Sequence, residues 1–198
     1  MKARILCALR WGLPVTALFC VVYGGADWVT TRRTLRIPVH TQWELAMPLW
    51  PWMVVVYMTI YPLMWAAPFV LDSTRQVRAL CWSMGGVILV AGAGFLLCPA
   101  QLAFAPPPAD MGIWTGLFHF ADWLNLDYNL VPSLHVALTV TCVSAYAFRA
   151  KMFWWLWAAM IAVSTLLTHQ HHVIDVVSGW LLGIAGGRLY RGINQSQV

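Results

Sequence analysis

The sequence predicts an all-α, polytopic membrane protein, a bundle of six transmembrane helices in a single domain. Two observations carry that prediction. Of 198 residues, 61% are hydrophobic and only 10% are charged, with a mean hydropathy of +0.69, whereas soluble domains carry about 25% charged residues. Six segments also approach the roughly 20 mostly apolar residues that a helix needs to cross the hydrocarbon. They run from about 7–28, 48–71, 79–99, 132–149, 152–170 and 172–191.

The first segment follows the basic stretch Met1 to Arg10, which resembles the start of a secretory signal. No clean small-residue cleavage site follows, Gly24-Gly25-Ala26 being a weak candidate, so it reads as a retained span. Pro14, Pro51, Pro62 and the Gly85-Gly86 pair interrupt spans. Membrane helices tolerate them because neighbours satisfy the freed backbone groups. Between spans lie an outer loop at about 29–47, with three arginines and Glu44, and another at about 100–131, opening with Pro106-Pro107-Pro108. Within the second, Ile113 to Leu124 is apolar on one side and reads as an interfacial helix, with a lid over the site as the other reading. Trp43, Trp50, Trp52, Trp114, Trp123, Trp154, Trp155 and Trp157 sit near span ends, as interfacial anchors do. The five cysteines (Cys7, Cys20, Cys81, Cys98, Cys142) fall within spans with no CxxC pair, so neither zinc nor disulfide spacing is present.

Charge bias sets the expected orientation. With a cytoplasmic N-terminus, the inner segments hold Lys2, Arg4, Arg10, Arg75, Arg78, Arg149, Lys151, Arg188 and Arg191, nine of the twelve Lys and Arg residues. Arg32, Arg33 and Arg36 are the outer cations, and residues 100–131 contain none. Both termini are therefore expected in the cytoplasm, in a cytoplasmic (inner) membrane. The net charge of +5 reflects this bias rather than nucleic-acid binding.

Two motifs then share the outer (periplasmic) side. One is Pro132-Ser133-Leu134-His135, and the other runs from Ser164 through His169-Gln170-His171-His172 to Asp175. His171 and Asp175 are four apart and share a helix face. That spacing lets the carboxylate accept a hydrogen bond from one imidazole nitrogen, leaving the other to attack phosphorus. His135 on the same side would protonate the leaving oxygen. Ser133 and the backbone amides around it, at a helix start, would hold phosphate oxygens.

Pro-Ser-x-His followed by Ser-x6-His-x3-Asp resembles the type 2 phosphatidic acid phosphatase superfamily, which includes lipid phosphate phosphatases and inositol phosphorylceramide synthase-like phosphotransferases. Ile37-Pro38 to Pro62, with Glu44, Pro48, Pro51 and Tyr57, also looks like the early part of the synthase-like branch. The resemblance implies a six-helix bundle and a phosphohistidine on His171, oriented by Asp175, with His135 as general acid. It implies phosphate binding by Ser133 and the Leu134 amide, a membrane lipid phosphate as substrate, and no metal or other cofactor.

The departures concern charge. The superfamily pattern has Lys-x6-Arg-Pro and an Arg after the Ser of its third motif; this chain has Phe104-Ala105-Pro106-Pro107 and Thr165. Developing phosphate charge ordinarily needs such cations. Their loss shifts weight toward phosphodiester or pyrophosphate substrates, or toward headgroup transfer to a lipid alcohol. Arg32, Arg33 and Arg36 are the expected substitutes. Ser164 is expected to bind phosphate or to bond a backbone carbonyl, and His169 and His172 to support the nucleophile or pack at the interface. His40 and His119 read as interfacial, Asp110, Asp122 and Asp127 as loop or cap residues, and Glu44 as either structural or active. Two other classes remain open: a metal site built from the histidine cluster, and a non-catalytic binder of lipid phosphates.

Overall fold

The computed structural model describes residues 1–126, 128–146 and 151–196. Asp127 and Arg149, both used in the sequence reading, lie outside the described residues, as does the end of the segment expected over 132–149. Among the described residues the chain is all-helical and contains no strand. The nine α-helices are α1 (Lys2–Thr30), α2 (Met53–Met58), α3 (Ile60–Trp65), α4 (Ala67–Val70), α5 (Thr74–Leu97), α6 (Thr115–Leu124), α7 (Leu134–Tyr146), α8 (Lys151–Leu167) and α9 (Val173–Gln195), with short 3-10 turns at Glu44–Ala46 and Gly112–Trp114.

Three helices, α1, α5 and α9, are long and apolar enough to cross a membrane. The chain is a membrane protein by that measure. The other three expected spans are shorter apolar helices. The segment expected at 48–71 is broken into α2, α3 and α4, and proline chemistry explains the breaks. Pro62 and Pro68 have no N–H for the carbonyls of Met58 and Met64, so the i→i−4 ladder cannot run through. Neighbouring helices cover the resulting ends. Trp157 Nε1 donates to Thr59 Oγ1 at 3.1 Å, and the Tyr146 hydroxyl donates to the Leu63 carbonyl at 2.9 Å. Trp157 is thus tied to the bundle interior, and Trp155 packs on Trp180, whereas Trp43 and Trp123 are exposed. After α4, Ser73 starts α5 with a capping box: its Oγ accepts from the Gln76 amide at 3.2 Å, and Gln76 Oε1 accepts from the Ser73 amide at 3.1 Å.

Helix α1 pairs with α5, and α7 pairs with α9. The second pair positions the two histidine motifs because its seam is built from small residues. A Cβ on Gly183 would lie 2.8 Å from the Ala137 carbonyl oxygen, and one on Gly179 would strike the carbonyl of Ser133. With hydrogen at both positions the two backbones approach closely, which drives helix association where both solvent and core are apolar. The Ser133 amide also donates to the Asp175 carbonyl at 2.9 Å, fixing the register of α7 on α9. At this end of the bundle the two long loops meet, with the Ile37 amide donating to the Pro99 carbonyl at 3.1 Å.

Adding a methyl group at Gly183 should therefore cost about 1–3 kcal/mol by overpacking. Gly24→Ala, where nothing lies within 4 Å, should be neutral or stabilising by up to about 1 kcal/mol. Thermal melts of the two variants in one detergent check this. Equal melting temperatures would show that the seam has slack.

Candidate active site

Helix α9 begins where the chain reverses after α8. The carbonyl of Thr165 accepts the amides of Gln170 at 3.0 Å and His171 at 3.2 Å. Between them His169 takes a left-handed conformation, φ +57°, which costs a non-glycine residue about 1–2 kcal/mol. The reversal leaves His172 as N-cap of α9 and Asp175 in its first turn, where a carboxylate faces the helix's exposed amides. Asp175 is wholly buried, and its Oδ2 accepts the His172 amide at 2.8 Å.

The same oxygen lies 3.4 Å from His171 Nδ1, an ion-pair separation rather than an aligned hydrogen bond. Bonds of this kind are often long in unliganded sites. Nδ1 is buried against Asp175, while the His171 ring lines a cavity shared with His135. His135 stacks on the Tyr57 ring with centroids 3.9 Å apart, and its Nε2 lies 2.8 Å from the Tyr57 carbonyl. That carbonyl is among the last of α2, a position that lacks an intrahelical donor. Because a carbonyl only accepts, Nε2 carries the hydrogen, and Nδ1 is the nitrogen free to gain or lose a proton.

The cavity has a volume of about 320 Å³ and is mainly apolar. It runs inward from Thr16, Cys20 and Trp65, exposed on the outside of α1 and α3, to His135, His171, Asn125 and Asn129. Among the described residues no Lys, Arg, Asp or Glu lines it. A second cavity, of about 280 Å³, lies beyond, under Phe104, Pro106 and Phe118. A chain of side chains separates the two: the Tyr57 hydroxyl donates to Asn125 Oδ1 at 2.7 Å, Asn125 Nδ2 to Gln170 Oε1 at 2.6 Å, and Gln170 Nε2 to Asp122 Oδ1 at 3.0 Å. Asp122 stands on α6, whose Phe118 and Ala121 pack on Val54 and Tyr57. The segment read as an interfacial helix or lid is thus pinned over the site on one face. Its other face exposes Ile113, Phe120 and Trp123.

Not every expected residue reaches the cavity. His135, His171 and Leu134 line it, and Asp175 stands behind His171. Ser133 is wholly buried at the start of α7 against Gly179, its Oγ 3.4 Å from the Val136 amide. Ser164 donates to the Ile161 carbonyl at 2.7 Å, and Thr165 to that of Ala162 at 2.8 Å. Neither faces a cavity. The three arginines close helix ends instead of replacing the phosphate clamp. Arg33 donates to the Leu96 carbonyl, Arg32 reaches the Trp28 carbonyl and stacks on the Trp28 ring, and Arg36 donates to the Thr30 carbonyl at 3.0 Å while lying over Tyr128. The last-turn carbonyls of α1 and α5 carry partial negative charge, and the three cations bond there.

No protein-family model and no characterised protein matches this chain. The site must be read from its own geometry.

Glu44 is the residue whose importance the sequence left open. It is buried 128 positions from its partner, with Oε2 3.2 Å from His172 Nδ1 and 2.9 Å from the Val173 amide. Oε1 accepts the Thr41 amide at 3.0 Å and its hydroxyl at 2.6 Å. His172 Nε2 accepts the Ala103 amide at 3.1 Å, so Nδ1 holds the hydrogen given to Glu44 and both ring nitrogens are occupied. His172 therefore clamps both loops to the start of α9, with both of its ring nitrogens engaged. Phe104 stacks on His169 and His172 with centroids 4.1 and 4.7 Å away. Among the described residues no group of three or more His, Cys, Asp or Glu side chains is arranged to hold a metal ion.

Burial raises the Glu44 carboxyl pKa, but hydrogen bonds from Thr41 and Val173 and the nearby His172 together hold it below the ordinary 4.5. A group with a depressed folded pKa contributes stability above its unfolded pKa and loses it as pH falls through the folded one. Glu44→Gln should melt lower than the parent at pH 7, and the gap should close as pH drops below about 4.5. A gap that stayed constant with pH would mean that Glu44 contributes by shape rather than by charge.

Proposed function

We propose that this chain is a lipid phosphate phosphotransferase of the type 2 phosphatidic acid phosphatase kind, acting through a phosphohistidine on phosphate or pyrophosphate ester lipids. The observation that carries this reading is that His135 and His171 line one apolar cavity, with the buried Asp175 carboxylate behind His171. His171, with Nδ1 toward Asp175, attacks phosphorus through Nε2. The bond to the lipid or headgroup oxygen breaks, and that oxygen takes its proton from His135 Nδ1. Water or an alcohol then gives its proton back to His135 while its oxygen displaces His171 from phosphorus. Covalent capture divides one hard displacement into two easier ones.

Six spans with both termini cytoplasmic would put this site at the outer face of the inner membrane, as the bias of basic residues favours. Headgroup transfer to a lipid alcohol is the second reading. The cation-free lining favours it, since a phosphodiester brings less charge to the site than a phosphomonoester does.

His171→Ala should abolish phosphate release from a panel of lipid mono- and pyrophosphates assayed without added metal. His135→Asn should slow poor leaving groups by about 10²–10⁴-fold and good ones far less. Equal losses for both kinds would refute the acid assignment, and release surviving in His171→Ala would refute the nucleophile. If no phosphate is released from any of these, transfer to an added lipid alcohol is the next assay. Replacing Arg32, Arg33 and Arg36 together by Gln should lower the melting temperature and leave KM within about twofold, because their partners are carbonyls and rings. A large rise in KM would return one of them to the phosphate.

A further inference from the structure

Asn129 brings an open hydrogen-bond acceptor to the wall of the first cavity. It is 2% exposed, lines the cavity, and donates through Nδ2 to the Tyr23 carbonyl at 2.7 Å. Its Oδ1 is buried and has no hydrogen-bond partner among the described residues. Because the Tyr23 carbonyl can only accept, flipping the amide would set oxygen against oxygen, so the assignment is fixed and Oδ1 is the end left open. The neighbouring Asn125 has no such vacancy, its oxygen and nitrogen both being engaged by Tyr57 and Gln170. Native interiors rarely leave a buried acceptor unpaired. What it needs is a hydrogen-bond donor. A phosphate diester or dianion offers only acceptors, so Asn129 does not face the phosphoryl group.

We propose that Asn129 reads the hydroxyl of a neutral, single-chain lipid whose hydrocarbon lies in the slot between α1 and α3. The slot opens sideways at Thr16, Cys20 and Trp65 and, among the described residues, has no carboxylate, lysine or arginine along it. Its volume of about 320 Å³ is at the small end of the ~300–1,000 Å³ of ligand clefts, which suits one chain rather than two. This rests on the phosphotransfer reading for its meaning, because a lipid alcohol is what such a reaction releases from a lipid phosphate or consumes as acceptor. The binding itself requires no turnover. Asn129 is thus a specificity-determining residue, and a site built to bond a hydroxyl discriminates against the analogue that lacks it.

The experiment compares 1-hexadecanol with its methyl ether in equilibrium binding to the full chain in nanodiscs. The alcohol should bind about tenfold tighter, and Asn129→Leu should bind both equally. A diazirine placed midway along the alcohol's chain should label Thr16, Cys20 or Trp65 in the unaltered protein, a readout that survives if the Leu variant does not fold. Equal affinity for alcohol and ether would mean that water satisfies Oδ1, and would overturn the proposal. So would a preference that persists in Asn129→Leu, or labelling confined to other helices. Preference for the alcohol in a protein that releases and transfers no phosphate would uphold the hydroxyl site and sink only the phosphotransfer reading.

Discussion

Everything at this end of the molecule depends on how closely α7 can lie against α9. In an aqueous core, burial of large side chains would drive such a pair together. In a membrane that force is absent, and what remains is backbone proximity: glycines facing a carbonyl and a β-branched side chain, and one amide of Ser133 given to the carbonyl of Asp175. That single bond joins the two motifs. It makes the start of one helix the anchor of the other, so the His135 and His171 rings come to a common space without touching any shared ligand. Bulk at Gly179 would separate them even though neither ring would change its own neighbours.

A second layer fixes orientation. Glu44 and His172 hold the loop before α2 and the loop after α5 against the first turn of α9. With His172 engaged at both nitrogens and His169 turned onto Phe104 and the Met47 carbonyl, His171 is the one ring of the three adjacent histidine positions left facing the cavity. Of three histidines within four residues, His171 faces the first cavity, His169 borders the second and His172 belongs to the frame.

The grouping of His135, His171 and Asp175 is legible in the sequence because they sit in two short strings, and a helix turn alone brings His171 to Asp175. The sequence also made the apolar helices legible through composition. It concealed whatever depends on distant partners. Glu44 could not be matched with His172 from spacing, and the vacancy on Asn129 exists only because Tyr23, more than a hundred positions away, takes the other end of its amide. The segment 48–71 was visible as apolar, yet its breaks followed from Pro62 and Pro68, whose missing amides outweighed hydropathy. The partners of the arginines were hidden for a related reason. Counting outer cations treats them as available, whereas the nearest unpaired carbonyls belong to the helices they follow. The spacing Gly179-x3-Gly183 was the one signal for the α7–α9 seam present in the sequence and not used.

The wall between the two cavities has a direction. From the Tyr57 hydroxyl through Asn125 and Gln170 to Asp122, every link donates the same way, and no amide can reverse without breaking two bonds. Such a chain polarises in unison, but carboxamides do not pass protons on as water or imidazole does. It is an insulator between the histidines and the second cavity. A proton lent by His135 in the proposed cycle could not return along this wall; the ligand that received it, or the next one to arrive, would be its nearest source.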